Sequence, residues 1–477
     1  MCLLGSYSFF HRLRSCGCAP SSRRNPSSKT QHESLPGCFL PVTEPAVMEN
    51  LKLFAASAVL AVFLSSCDIC YLDRPELAVK NHVAILYSVG YNDLSGSLKS
   101  DIEDLGEGFL PGRCDDKALL VVAHHSVTSG DFTTPVDPCI IRMYKEGGVT
   151  VRDTVLTMDA STDTLTTVEG MRKALTYIKD KYPSLSYGLI FSSHGTGWMP
   201  AGAYDKYNDE GGGLLFAAGA DRPAAAVFTP GYAYLDELVT DPDFKSFGAS
   251  IYRRPSGLLS RELEVSELAA ACPMHFDYMI FDACLAGGIE SAYQLRHVCD
   301  LYCASQTEIL SDGFDYKNMG ERLLSGEVPD PVQVCRDFYN YYNEQTGTRQ
   351  SATVSAVDCR MLQPLAAYTK LLLARYVASV DALNPSDVQG YYRGGHHWFY
   401  DFEDILQKAG ISETEKSELA GCLEKCIRYK AATPHFFASF DIVHHSGFSM
   451  YLPNNGNEAL NDYYRTLEWN EATGLVK

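Results

Sequence analysis

The sequence predicts an α/β protein, a sandwich of helices on both faces of a mainly parallel sheet. Three observations predict it. Short apolar runs at residues 82–90, 118–125, 187–192 and 276–282 alternate with amphipathic segments, the pattern of strands buried on both faces. The 477 residues are 46% hydrophobic and 21% charged, enough to bury a sizeable core. Two of the apolar runs end in turns that carry chemistry, one with His194 and one with Cys284, and open parallel sheets bind ligands at the carboxyl ends of their strands.

Residues 1–47 are rich in Ser, Arg, Cys and Pro, show no strand or helix period, and read as a disordered leader ahead of a start at Met48. Residues 48–67 have a short polar start with Lys52, a dozen apolar residues and Leu64-Ser65-Ser66-Cys67. That is a lipoprotein signal peptide with Cys67 as the acylated residue. A plain transmembrane anchor is the alternative, but the run falls short of the roughly 20 residues that span a bilayer. The expected location is therefore the bacterial cell envelope, exported and lipid-anchored, with the leaflet open. Residues 68–81 form a charged tether, 82–325 the domain bearing the two turns, with an insertion at 199–264, and 326–477 an α/β extension with helical additions packed on it.

Within that frame each element has its own signal. Residues 82–90 and 118–125 are apolar strands, with a helix through residue 105 between them; 140–144 and 149–153 flank a Glu-Gly-Gly turn and read as a hairpin. Residues 167–181 place Val168, Met171, Leu175 and Ile178 on one helix face, and Pro183 ends that helix. The insertion is long, rich in Gly and Ala, and poorly periodic, which marks a functional or disordered loop. A helix is expected at 258–270, then the strand to Asp282, a helix at 289–297 and a strand at 301–305. Further helices are expected at 330–343, 360–380 and 412–432, with one opening at 396–402; strands are expected at 351–357 and 445–453.

The formal charge of −19 excludes nucleic acid as a natural partner, because phosphate contacts need clustered Lys and Arg. It suits cationic substrates. Most of the 16 cysteines are scattered at irregular intervals and read as buried free thiols, although an exported chain leaves disulfides open.

Cys284 and His194 differ from that background. Each ends an apolar strand in a small-residue turn, so neighbouring strands bring a nucleophile and a base to one rim. A buried thiol and a satisfied core histidine are the bland alternatives. Imidazole suits proton transfer in both directions near neutrality. The Gly195 N–H, with that of Cys284, would stabilise an oxyanion.

Ser192-Ser193-His194-Gly195-Thr196-Gly197-Trp198, followed by Phe281-Asp282-Ala283-Cys284-Leu285-Ala286-Gly287, resembles the clostripain family of cysteine peptidases. The family belongs to the caspase-like group, and the resemblance runs from about residue 83 to the carboxyl terminus. It implies a caspase-like α/β/α sandwich and a cysteine endopeptidase with a His194/Cys284 dyad, cutting peptides or proteins after Arg or Lys. Asp282 matches the acid that helps form the family's primary pocket, and a carboxylate pairs bidentately with guanidinium. Asp312 and Asp315, in a segment similar to the family's groove lining, are further pocket candidates. A helix-capping role is the alternative for Asp282. Relatives cut themselves between the His and Cys blocks after a basic residue; here the candidates are Arg222, Lys245, Arg253 and Arg254, with Pro255 hindering the last, and an uncut surface loop is the alternative. Ala286 and Gly287 depart from the usual family pattern.

No metal site is expected: the doublets His124-His125, His396-His397 and His444-His445 lack ligand spacing. No cofactor is required, although some relatives depend on calcium, for which the acidic stretch 205–210 is the candidate despite lacking a spaced loop motif. Two other functions stand beside the Arg/Lys peptidase: a non-enzymatic envelope lipoprotein that binds peptide or glycan, and an Asn- or Asp-specific peptidase of the same group.

Overall fold

The apolar runs assemble into one nine-stranded sheet. Its strands are β1 (His82–Gly90), β2 (Lys117–His125), β3 (Cys139–Glu146), β4 (Val149–Thr157), β5 (Tyr187–Ser192), β6 (Phe276–Asp282), β7 (Cys299–Ala304), β8 (Thr353–Asp358) and β9 (Ile427–Ala432). They lie in the order β9-β8-β7-β6-β5-β1-β2-β3-β4. The centre, β7-β6-β5-β1-β2, is parallel, and antiparallel pairs extend it at both edges. This computed structural model describes residues 79–201, 244–245, 250–254, 257–261 and 263–477, apart from 92–93, 129–133, 135, 163 and 394–396. The expected leader, signal peptide, Cys67 and most of the tether lie outside the described residues. Residues 73–477 form one compact unit.

Burial explains why the central strands are apolar throughout. Every position of β1 and β5 is buried, and β6 exposes Asp277 alone, because both faces are covered. The edge strand β4 has no buried position, and its Thr150, Arg152, Asp153 and Thr154 blunt an edge that would otherwise template further pairing. The hairpin read at 140–153 is therefore the finished end of the sheet.

Helices α1 (Ser95–Glu107) and α2 (Val168–Lys181) belong to the first half of the sheet, and α3 (Val265–Ala271) leads into β6. In α2, Thr167 caps the start by accepting the Gly170 N–H, while Met171, Ala174, Leu175 and Ile178 are buried. Beyond β6 come α4 (Ile289–Leu295), α5 (Tyr316–Leu324), α6 (Pro331–Asn343), α7 (Leu362–Val380), α8 (Phe402–Lys408), α9 (Glu413–Cys426), α10 (Glu458–Tyr464) and α11 (Glu468–Thr473). Among the described residues no helix is long and apolar enough to cross a membrane.

Three expectations are corrected. Residues 257–261 pair with 250–254 as a hairpin, so the helix expected from residue 258 begins at Val265. The helix expected to run to residue 432 stops at Cys426, and residues 427–432 become β9, because β8 offers them an open edge. The late strand at 445–453 shrinks to Ser449–Met450, which pairs with Tyr400–Asp401. Through β8 and β9, the extension after residue 325 shares the sheet with the residues before it. The ten cysteines among the described residues are free thiols, six of them buried.

Candidate active site

The site follows from the pairing of β5 with β6. These parallel neighbours run in register from Gly188 opposite Tyr278 to Ser192 opposite Asp282. Two residues beyond the last pair stand His194 on one strand and Cys284 on the other, at the same carboxyl edge. Both are buried, at 6% and 1% exposure.

Their turns touch. Gly197 has φ +62°, and a Cβ there would stand 2.6 Å from the Leu285 carbonyl oxygen and 2.9 Å from the Phe399 ring. Glycine thus lets the His194 turn lie directly on the backbone that follows Cys284. Leu285 itself has φ +58°, a left-handed conformation that costs a residue with a Cβ roughly 1–2 kcal/mol. Its surroundings hold it there: Leu285 N–H donates to Thr307 O at 2.9 Å, Gly287 N–H to Ser305 O at 2.6 Å, and Tyr302 Oη to Ala286 O at 2.7 Å. Strain of this kind persists when the frame around it is rigid.

The sulfur is held by an element that sequence reasoning did not single out. Ile309 N–H donates to Cys284 Sγ at 3.2 Å, and Sγ lies 3.8 Å from the carbonyl of the same residue. The helix that follows does not supply this donor, because α4 begins at Ile289, beyond an intervening turn. The segment before Ile309 is locked from below. Thr353 Oγ1 accepts the N–H groups of Gln306 and Thr307, and Gln306 Nε2 donates to Ser355 Oγ at 2.8 Å and Gly447 O at 2.9 Å. Gln306 Oε1 is then the acceptor for His445 Nε2 at 2.8 Å. Burial pushes His445 down to about 3, so it stays neutral. Glu308 pairs with Arg393 at 3.2 Å, while burial raises its carboxyl.

The three candidate pocket acids have different surroundings. Asp282 is fully buried and accepts from Tyr316 Oη at 2.7 Å and Ser192 Oγ at 3.2 Å. Asp312 pairs with Arg349 and accepts from Tyr341 Oη at 2.8 Å. Asp315 caps α5, accepting from Asn318 N–H at 3.2 Å and Asn318 Nδ2 at 2.6 Å. Gly195 lies buried in the His194 turn.

Of the candidate cut sites, Arg222 lies outside the described residues. Arg253 and Arg254 sit in paired backbone, opposite Leu258 and Gly257. Lys245 belongs to a two-residue strand, Phe244–Lys245, antiparallel to Ile309–Leu310, with Lys245 opposite Ile309. The acidic stretch 205–210 and His396 are outside the described residues. His124 and His125 bond Val136 O and Ser88 Oγ, and burial pushes them down to about 4 and about 3. Among the described residues no group of three or more His, Cys, Asp or Glu is placed to hold a metal.

Sequence reasoning also passed over Trp198 as a packing anchor and Glu290 altogether. The signal for Glu290 was a lone acid in the otherwise small and apolar run after Cys284. The structure buries it in the first turn of α4.

The clostripain family model matches residues 259–474. Solved structures of similar fold include an inactive zymogen C11 protease from Parabacteroides distasonis, 24% identical with a TM-score of 0.64. A secreted C11 cysteine protease from Bacteroides thetaiotaomicron, iotapain, is 20% identical with the same TM-score of 0.64. A C11 cysteine protease from that organism bound to an irreversible peptide inhibitor is 21% identical, with a TM-score of 0.61. Each comparison covers 83% of this chain and 99% of the other. These likenesses show the fold, the caspase-like α/β/α sandwich. No curated protein matches the chain.

Proposed function

We infer, for a chain whose residues 259–474 match the model of the clostripain family of cysteine peptidases, that it hydrolyses peptide bonds after Arg or Lys through a His194/Cys284 dyad. The observation that carries this reading is the meeting of the two turns at one sheet edge, with Gly197 of the His194 turn lying on the Leu285 backbone. His194 takes the Cys284 thiol proton as Sγ attacks the scissile carbonyl carbon; the C–N bond then breaks to leave a thioester, and His194 delivers that proton to the departing amine. Water then adds to the thioester as His194 removes its proton; the C–S bond breaks to release the carboxyl product, and His194 returns the proton to the sulfur. The Gly195 and Cys284 N–H groups are the proposed donors to the oxyanion.

Asp282 is the proposed base of the pocket for the substrate's cation. It is a buried carboxylate two residues before the nucleophile, already oriented by Tyr316 and Ser192. Asp312, exposed and paired with Arg349, is the second candidate, and Asp315 the third, engaged in its helix cap.

The chain is proposed to begin as a zymogen. The Phe244–Lys245 backbone lies antiparallel on the strand whose Ile309 N–H holds the sulfur, as a substrate strand would. That pairing favours Lys245 over the other candidates for self-cleavage. One solved relative of similar fold is itself described as an inactive zymogen, and another as secreted. Export with a lipid on Cys67, and no required cofactor, complete the proposal.

A panel of fluorogenic Arg, Lys, Asn and Asp peptides, with Cys284→Ala as control, tests the reading. Turnover of Arg or Lys peptides that is lost in Cys284→Ala is expected. Turnover of Asn or Asp peptides alone overturns the specificity, and no turnover on any of them overturns the function.

A further inference from the structure

Behind the Cys284 turn lies a buried acid that the chemistry above does not use. Glu290 is 1% exposed, and its Oε1 accepts from Tyr451 N–H and Tyr464 Oη, both at 2.8 Å. Among the described residues, its Oε2 has no hydrogen-bond partner. Neither have two buried polar atoms from distant parts of the chain, Trp198 Nε1 and Ser449 Oγ.

All three groups surround Gly288. The point that a Cβ on this glycine would occupy is 3.0 Å from Glu290 Oε2, 3.6 Å from Ser449 Oγ and 3.6 Å from Trp198 Cδ1, the ring carbon bonded to Nε1. An indole N–H only donates, a hydroxyl donates or accepts, and an ionised carboxylate only accepts. The set is complementary, and three polar partners suit one buried water.

Each group comes from a different part of the site. Trp198 stands four residues after His194 and packs edge-on against Tyr464, ring centroids 5.0 Å apart. Gly288 stands four residues after Cys284 and bridges to Ser449, whose N–H donates to Gly287 O at 3.0 Å.

We propose that Glu290 is a positioning residue of the peptidase: its carboxylate, with one water beside Gly288, gathers Trp198 and Ser449 and so fixes the His194 turn on the Cys284 turn. The idea rests on the dyad reading above.

It carries a pH signature. Burial raises the Glu290 carboxyl to about 7, opposed by the Tyr451 N–H, its own N–H and the Tyr464 hydroxyl. The phenols on the neighbouring elements, Tyr451 and Tyr464, are pushed far up by burial and stay neutral. The third neighbour is the turn that carries His194 and Trp198. Between pH 6 and 8, on the order of one unit either side, Glu290 therefore passes from donor to acceptor toward two donors.

The test is Glu290→Gln in the full chain, with Trp198→Phe as partner. Cleavage of Arg and Lys peptides and alkylation of Cys284 by iodoacetamide are both followed from pH 5.5 to 9, together with thermal unfolding. The proposal expects kcat to fall about tenfold with KM within about twofold, and the contribution of Glu290 to the pH dependence near 7 to be lost from both profiles. The midpoint of unfolding at pH 8 should not fall. Trp198→Phe should lose a similar factor, and the double variant little more. An unchanged pH profile in Glu290→Gln overturns the proposal, as does a loss of activity matched by loss of folded protein. If wild type cleaves no peptide, the reading above has failed, and the alkylation profile still decides the role of Glu290.

Discussion

Two histidines sit at opposite ends of the central strands, and their surroundings differ in kind. At the amino-terminal end, His82 of β1 is 1% exposed and bonded at both ring nitrogens. Ser186 Oγ donates to Asp277 at 2.5 Å, so it accepts from His82 Nδ1 at 2.8 Å. His82 Nε2 then accepts from Tyr278 Oη at 3.0 Å. At the carboxyl-terminal end, His194 stands in a glycine-rich turn lying on a strained backbone beside a thiol. Residue type and burial are the same; the end of the sheet and the strain around it differ. A parallel sheet puts its loops, and so its chemistry, where strands finish, and the start of the strands is left to stability.

The sharpest test of that contrast is the pair at the carboxyl edge. Cys284→Ala should lower kcat/KM by about 10⁴-fold or more, since no other group would replace the proposed nucleophile. His194→Ala should cost about 10²–10⁴-fold, the usual span for a general acid–base group. Both variants should keep wild-type unfolding midpoints within a few degrees. A large fall in midpoint would move His194 into the same class as His82.

Asp282 comes next. Asp282→Asn removes the charge while leaving a group that can still bond Tyr316 and Ser192. The loss of one charge-assisted interaction should reduce kcat/KM on Arg peptides by about 10- to 100-fold. An equal loss on peptides with an uncharged residue at that position would instead mark Asp282 as a support for the turn.

A smaller effect is expected at Lys245, where the question is access to the sulfur. Lys245→Ala should leave the chain uncut on a denaturing gel, and alkylation of Cys284 should be about tenfold slower than in the cut protein. Cutting that persists after Lys245→Ala, or equal alkylation rates, would show that the strand beside Ile309 does not shield the site.

What the sequence revealed and what it concealed follow the same division. The central strands were legible because burial on both faces leaves continuous apolar runs, and β1 spans the residues read from the chain. Residues 427–432 misled because Ile427-Arg428-Tyr429-Lys430 alternates in exposure at a sheet edge and continues a good helix, so their pairing with β8 alone decides their state. The placement of His194 and Cys284 at one sheet edge was legible from local motifs. The Ile309 N–H on the sulfur was not, since a backbone donor leaves no mark in residue type. Nor was the meeting of Trp198, Glu290 and Ser449, which depends on three segments far apart in the chain.

The smallest effect separates the two ends by pH. Burial, then the charge of Lys117, lowers His82 from 6.5 to about 4, against the opposing bond from Ser186. A base lowered in this way is neutral in the fold, and the unfolded chain takes up the proton first. Its contribution to stability is therefore complete above pH 6.5 and is lost as the pH falls toward 4, an interval worth roughly 3 kcal/mol at most. His82→Gln should unfold at a lower temperature than wild type at pH 8, because it cannot reproduce both ring bonds. The gap should narrow by pH 5, since the variant has no proton to take up there, although His124, His125 and His445 keep their own share of acid sensitivity. Glu290 titrates with the opposite sign: its raised carboxyl costs stability as the pH climbs from 4.5 toward 7. Opposite slopes in His82→Gln and Glu290→Gln, with kcat per folded molecule unchanged in the first and reduced in the second, would show that the sheet separates stability from chemistry along the length of its strands. A change of kcat in His82→Gln would break that separation.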